Sequence, residues 1–135
     1  MTERAPGHRP PVLQPASQRR RNLAAGARAE AVAAEFLEAR GLSIVARNWR
    51  CRCGEIDLVA RDRDTLVFVE VRLRRRSDFG GAAASITATK QARLTAAAQL
   101  YLARLRYLPP CRFDAVLLDA LDPPTIEWIR DAFSA

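Results

Sequence analysis

Two carboxylates and a guanidinium stand where a buried sheet is expected. Asp57 lies in GEIDLVA (54–60), and Glu70 and Arg72 lie in LVFVEVRL (66–73). An ionised carboxylate buried without compensation costs several kcal/mol or more. Two side by side repel, and one of them tends to keep a proton. Something positive must therefore accompany them. Arg72 is one candidate. A divalent cation is the other, because hard carboxylate oxygens suit Mg²⁺, which keeps several waters and binds phosphate oxygens. An internal ion-pair network that merely closes the sheet fits the same residues, and the pattern alone leaves both readings open.

The elements around them follow from periodicity. Successive strand residues point to opposite faces. Ile56, Leu58 and Ala60 thus share one face, and Glu55, Asp57 and Val59 the other. In the next strand Val67, Val69, Val71 and Leu73 oppose Leu66, Phe68, Glu70 and Arg72. A simple RDRD loop (61–64) pairs Ala60 with Thr65 and sends Asp57, Glu70 and Arg72 to one side. A one-residue slip would reverse that. The aliphatic face made by Ile56, Leu58, Val67, Val69 and Val71 argues for the register as drawn.

Upstream, Leu23 to Arg40 reads as a helix. Ala29, Val32, Ala33, Phe36 and Leu37 recur at spacings of three and four, and Gly41 follows as a terminator. An extended segment spans Leu42 to Arg50. After the hairpin, a basic loop runs from Arg74 to Gly81 and a second helix from Thr87 to Arg106, with Leu94, Ala97, Ala98, Tyr101 and Leu105 as its apolar stripe. Pro109-Pro110 ends it. CRFDAVLLD (111–119) and TIEWI (125–129) are two further strands. The order is α-β-β-β-α-β-β, an α/β class without internal repeats.

The totals set the frame. A chain of 135 residues is one domain with a tail, and 49% hydrophobic with 27% charged residues is a soluble, globular balance. No apolar run approaches the ~20 residues that span a bilayer. With no secretory signal pattern, a cytoplasmic location without membrane association is the expectation. Residues 1–22 hold four of the eight prolines and end in Arg19, Arg20 and Arg21, so a disordered basic arm is expected before a domain at 23–135. Cys51, Cys53 and Cys111 are the three cysteines, and His8, in that arm, is the one histidine. A structural zinc wants four ligands, so reduced thiols are expected.

The net charge is +7, from 22 basic and 15 acidic residues, and Lys90 is the single lysine. Such a balance suits a polyanion. Arg72, Arg74, Arg75 and Arg76 form a basic edge just beyond the acidic pair. They would contact phosphate, or else guard an edge strand from aggregation. Trp49 and Trp128 are expected in the core.

In this order the segments GARAEAVAAEFLEARG, GEIDLVA, FVEVRLRRR, ITATKQARLTAAAQLYL and CRFDAVLL resemble the small YraN family. An aspartate followed on the next strand by Glu-x-Lys is the signature of PD-(D/E)XK nucleases of the restriction-endonuclease-like type, and the family is similar to archaeal Holliday-junction resolvases. The resemblance implies an α-β-β-β-α-β core with a central mixed sheet flanked by helices. It implies a Mg²⁺- or Mn²⁺-dependent phosphodiesterase on branched or damaged DNA, with homodimers among resolvase-like relatives. Carried across by position, Asp57 and Glu70 hold the metal, with the Val71 carbonyl completing its shell and Glu30 reaching it from the first helix. Lys90 and Gln91 head the second helix and face phosphate, and Arg74, Arg75 and Arg76 are nucleic-acid contacts. Arg112 and Asp114 match the later RFD motif, to which no role is assigned. Arg72 stands where the signature has lysine. Arginine is never a general base, although it can stabilise negative charge on phosphate. Two alternatives remain: a nucleic-acid-binding module that has lost hydrolysis, and a protein-interaction scaffold.

Overall fold

The computed structural model describes residues 16–73, 86–121 and 123–134. Helix α1 (Ala16–Ala39) buries Ala29, Ala33, Ala34 and Leu37, the face that its spacing predicts. Gly41 stops it in the left-handed region at φ 94°, with its amide and that of Leu42 bonded back to Glu38 and Leu37. The helix begins seven residues before the expected Leu23. Residues 17–22 contain neither glycine nor proline, so nothing local breaks the helix until Pro15. The proline-rich residues 1–15 and the basic stretch 74–85 lie outside the described residues.

Strands β1 (Ser43–Cys51), β2 (Gly54–Asp62) and β3 (Thr65–Leu73) are followed by helix α2 (Ala88–Leu102) and by strands β4 (Cys111–Leu121) and β5 (Pro124–Phe133). The sheet order is β1-β2-β3-β4-β5. Only β3 and β4 run parallel, as a connection through a helix allows. Helix α1 covers one face, packing with Leu58, Ala60, Val67, Val69, Val116 and Leu118. Helix α2 covers the other, with Ile56, Val59, Leu66, Phe68 and Phe113. This is an α/β fold with a mixed five-stranded sheet flanked by two helices, consistent with a restriction-endonuclease-like core.

The β2–β3 turn is tighter than expected. Its two residues are Arg63 and Asp64, with Asp62 paired to Thr65 and Ala60 to Val67. Two-residue hairpins favour positive φ, and Arg63 carries 57°. The register therefore moves by two places relative to the four-residue loop. A shift of two preserves parity, so the same side chains share a face. The last backbone pair is Leu58 with Val69. The next step along both strands sets Asp57 across from Glu70.

Candidate active site

The β2–β3 ladder gives way to side-chain bonding at Asp57. Its Oδ2 accepts the Val71 amide at 2.8 Å, so the carboxylate serves a donor in the neighbouring strand. Strand alternation breaks at the same level. Ile56 packs with Val59 on the α2 side, although simple alternation puts it with Leu58. Across β1, Trp49 and Ala46 join that cluster as well. Between those two lies Asn48 at φ 50°, a conformation that asparagine tolerates better than most residues. The expected aliphatic face thus loses Ile56, at the level where β1 carries the positive φ of Asn48.

At this level Asp57 is only 7% and Glu70 only 2% exposed. Helix α2 brings the compensating charge. Thr87 caps it, its hydroxyl accepting the Lys90 amide at 3.2 Å. One turn of helix then carries the Lys90 ammonium to 2.6 Å from Glu70 Oε2. The contact is a charge pair rather than an aligned hydrogen bond, and that buried oxygen accepts none. A cavity of about 220 Å³ opens here, lined by Gly54, Glu55, Asp57, Glu70, Lys90, Arg93 and Leu94.

Burial pushes the Asp57 carboxyl up to about 8, and a hydrogen bond with Glu70 and the Glu70 charge act in the same direction. The Val71 amide and the Lys90 charge oppose them without reversing the shift. Glu30 on α1 is also raised, by partial burial first and then by the Asp57 charge, against a hydrogen bond from Asn48. At neutral pH the arrangement thus holds a proton that a cation of higher charge would displace. A buried acid pair that holds a proton is the kind of donor set a hard divalent cation that keeps its waters takes. Among the described residues no three His, Cys, Asp or Glu side chains are arranged as a complete metal cage. Two carboxylates and water are the donor set that the chain offers.

The structure thus gathers Asp57, Glu70, Val71 and Lys90 at one place, whereas Glu30 on α1 feels the Asp57 charge but does not line the cavity. Arg72 is half-buried and follows Glu70 on β3, but it does not line the cavity. Lys90 stands at the carboxylate instead. Gln91 anchors the start of α2, its Nε2 donating to the Ile86 carbonyl at 3.0 Å. Arg74, Arg75 and Arg76 lie outside the described residues. Three contributors escaped the sequence reading: Asn48, Glu55 and Arg93. Arg93 had a usable signal, since its place one turn after Lys90 puts it on the same helix face.

Arg93 also explains the glycine that opens β2. A β-carbon on Gly54 would lie 3.3 Å from the Arg93 β-carbon, and the backbone there has φ +153°. Gly54→Ala is expected to cost about 1–2 kcal/mol, read as a lowered urea midpoint.

The RFD motif belongs to a different construction. Asp114 is fully buried. Its Oδ1 accepts Arg112 Nε at 3.0 Å and the Asp131 amide at 2.9 Å. Its Oδ2 accepts Arg112 Nη2 at 3.2 Å and Trp128 Nε1 at 2.9 Å. Arg112 also reaches Asp62 at 3.1 Å, at the C-terminal end of β2. These bonds tie β2, β4 and β5 together. Trp128 rests edge-on against Phe36 of α1, and Trp49 against Tyr101 of α2, both half-buried at the margin of the core where full burial was expected.

No helix among the described residues is long and apolar enough to cross a membrane. Residues 29–118 match the family described as Uncharacterised protein family UPF0102. The chain is 56% identical over 108 residues to a UPF0102 protein of Nitrosomonas europaea, covering 80% of this chain and 92% of that one. A UPF0102 protein of Cupriavidus metallidurans is 59% identical over 109 residues, 80% and 79% of the two chains. One from Nitrosococcus oceani is 49% identical over 124 residues, 90% and 97%.

Proposed function

This chain belongs to the uncharacterised protein family UPF0102, whose matched span contains every residue of the cavity, and from that premise we propose that it is a divalent-metal-dependent phosphodiesterase acting on branched or damaged DNA. The reading places it with YraN and the PD-(D/E)XK nucleases, in the cytoplasm. What carries it is the buried Asp57–Glu70 pair with Lys90 at 2.6 Å from Glu70. A purely structural ion pair needs one acid for one base. Here a second buried acid remains, beside an open cavity.

Asp57 and Glu70 would hold Mg²⁺ or Mn²⁺, with Glu30 assisting through water. Such an ion supplies Lewis acidity and a nucleophilic water. The Val71 amide keeps Asp57 oriented. Lys90 is the chain's own positive group facing the cavity, together with Arg93. Their charges oppose the negative charge that develops on a phosphate undergoing attack. Arg72, always protonated, contributes charge and no base.

Incubation of the pure protein with branched and flap DNA in Mg²⁺ or Mn²⁺ tests this. Cleavage that persists in Asp57→Ala or Glu70→Ala would overturn it. Calorimetry should show Mn²⁺ binding to the wild type and a large loss in Glu70→Gln. Lys90→Ala is expected to slow cleavage roughly 10²- to 10³-fold, the scale of losing one charge-stabilising group, with Mn²⁺ still bound. Arg72 at the signature lysine position favours a second reading, a DNA-binding module without hydrolysis. Salt-sensitive DNA binding without Mn²⁺ heat or cleavage would select it.

A further inference from the structure

Cys51 and Cys53 sit in the turn between β1 and β2. Cys51 ends β1 and pairs with Gly54 across a two-residue connection, Arg52 and Cys53. Residues two apart in a tight turn bring their α-carbons into the roughly 4.4–6.8 Å range that a disulfide spans. Both cysteines are half-buried, and both pack against the α2-side cluster, so they point to the same side of the turn. The Cys51 thiol donates to the Gly54 carbonyl at 3.4 Å. The neighbouring thiols act on each other's proton in opposite senses: Cys53 lowers Cys51 and Cys51 raises Cys53, and the amides of Cys53 and Gly54 also pull Cys51 down against its partial burial. One member of the pair is thereby the readier nucleophile and the other the readier resolving thiol.

Two other uses of this pair are less well supported. A metal centre needs further ligands, and among the described residues no group of three His, Cys, Asp or Glu is placed to supply them. Inert packing fits one small apolar residue as well as another. It does not account for two thiols set on the same side of one turn within a three-residue span.

We propose that Cys51 and Cys53 form a reversible dithiol–disulfide site, oxidised by small-molecule disulfides. The Cys51 thiolate attacks one sulfur of the oxidant, forming a mixed disulfide and releasing one thiolate. The Cys53 thiolate then attacks the Cys51 sulfur and releases the second. Two protein thiols are oxidised to one disulfide, and one molecule of oxidant is reduced to two thiols. The exposed Cys111 is the internal control, since it has no such partner and can only form a mixed disulfide. The turn also sets Gly54 and Glu55 at the edge of the candidate active site. Any effect of the bond on that site rests on the function proposed above, whereas the thiol chemistry does not.

The test uses the full chain equilibrated with rising ratios of oxidised to reduced glutathione, quenched in acid, alkylated and digested with trypsin. Cleavage after Arg50 and Arg52 separates Cys51-Arg52 from the peptide that begins at Cys53. The disulfide keeps the two joined at a mass two hydrogens below their sum. The expected result is that joined peptide, appearing before Cys111 is fully glutathionylated and lost again on return to reduced glutathione. In Cys53→Ser the joined peptide should vanish and Cys51 should accumulate as its glutathione adduct. Full modification of Cys111 with no joined peptide would overturn the proposal, as would a Cys53→Ser variant whose Cys51 stays unmodified under the same conditions.

Discussion

Asp57→Asn should raise the stability of the fold at pH 8 while abolishing Mn²⁺ binding. The sign follows from linkage. An aspartate in an unfolded chain titrates near 3.9, whereas burial and the neighbouring Glu70 push Asp57 up to about 8 in the folded protein. Its protonated form is the one the fold prefers. Its contribution to stability is therefore complete below pH 4 and is lost progressively as pH rises through 8. A tenfold change in proton affinity corresponds to about 1.4 kcal/mol, so ionising this group costs on the order of 5–6 kcal/mol at the alkaline end. Asparagine has no proton to lose and can still accept the Val71 amide.

Urea unfolding in the presence of a chelator, repeated from pH 4 to pH 9, measures the difference. The variant and the wild type should coincide near pH 4 and diverge steadily above it, with the variant more stable. Curves that stay parallel over that range would mean that the carboxylate is not held protonated by its surroundings. Added Mn²⁺ should narrow the gap by stabilising the wild type alone, since a ligand that binds only the folded state raises its stability by mass action. A residue whose ionisation strains the fold is hard to explain by stability and easier to explain by use.

Asp114→Ala should act in the opposite direction and at all pH values near neutrality. Asp114 is fully buried and accepts four hydrogen bonds, two from Arg112, one from Trp128 and one from the Asp131 amide. Its removal takes one of two acids from Arg112, which keeps Asp62, and strands an indole N–H and a backbone N–H where three strands meet. Breaking a buried pair by deleting one partner costs about 3–5 kcal/mol. Against the roughly 5–15 kcal/mol that holds a typical domain together, this is a large share. The urea midpoint should fall accordingly, and a loss below about 1 kcal/mol would show that the network contributes little. At a temperature where the variant remains folded, Mn²⁺ binding should survive, because Asp114 does not line the cavity. The RFD motif is therefore a clasp for β2, β4 and β5, and the Asp57–Glu70 pair is a separate feature of the same sheet.

Much of the site was legible along the chain because strand alternation is a local rule. Asp57 and Glu70 emerge on one side of the hairpin whether the turn has two residues or four, since both lengths have the same parity. The apolar stripes of α1 and α2 were legible for the same reason. Ala29, Ala33 and Leu37, and likewise Leu94, Ala97, Ala98 and Tyr101, are buried where helical spacing puts them. What the chain could not announce depends on partners far apart in sequence. The two-residue turn became evident only when Ala60 was found opposite Val67. The positive φ at Asn48 and the packing of Ile56 on the α2 side became evident only in the folded sheet. Lys90 takes the place beside Glu70, rather than Arg72, because packing docks the start of α2 over that carboxylate. Asp114 found its partners in Arg112 on its own strand and in Trp128 and Asp131 of β5, and Arg112 carried the network on to Asp62 of β2. Local periodicity decides which face a side chain occupies. Which charge it meets there is decided by the docking of whole elements, through contacts that no short stretch of sequence contains.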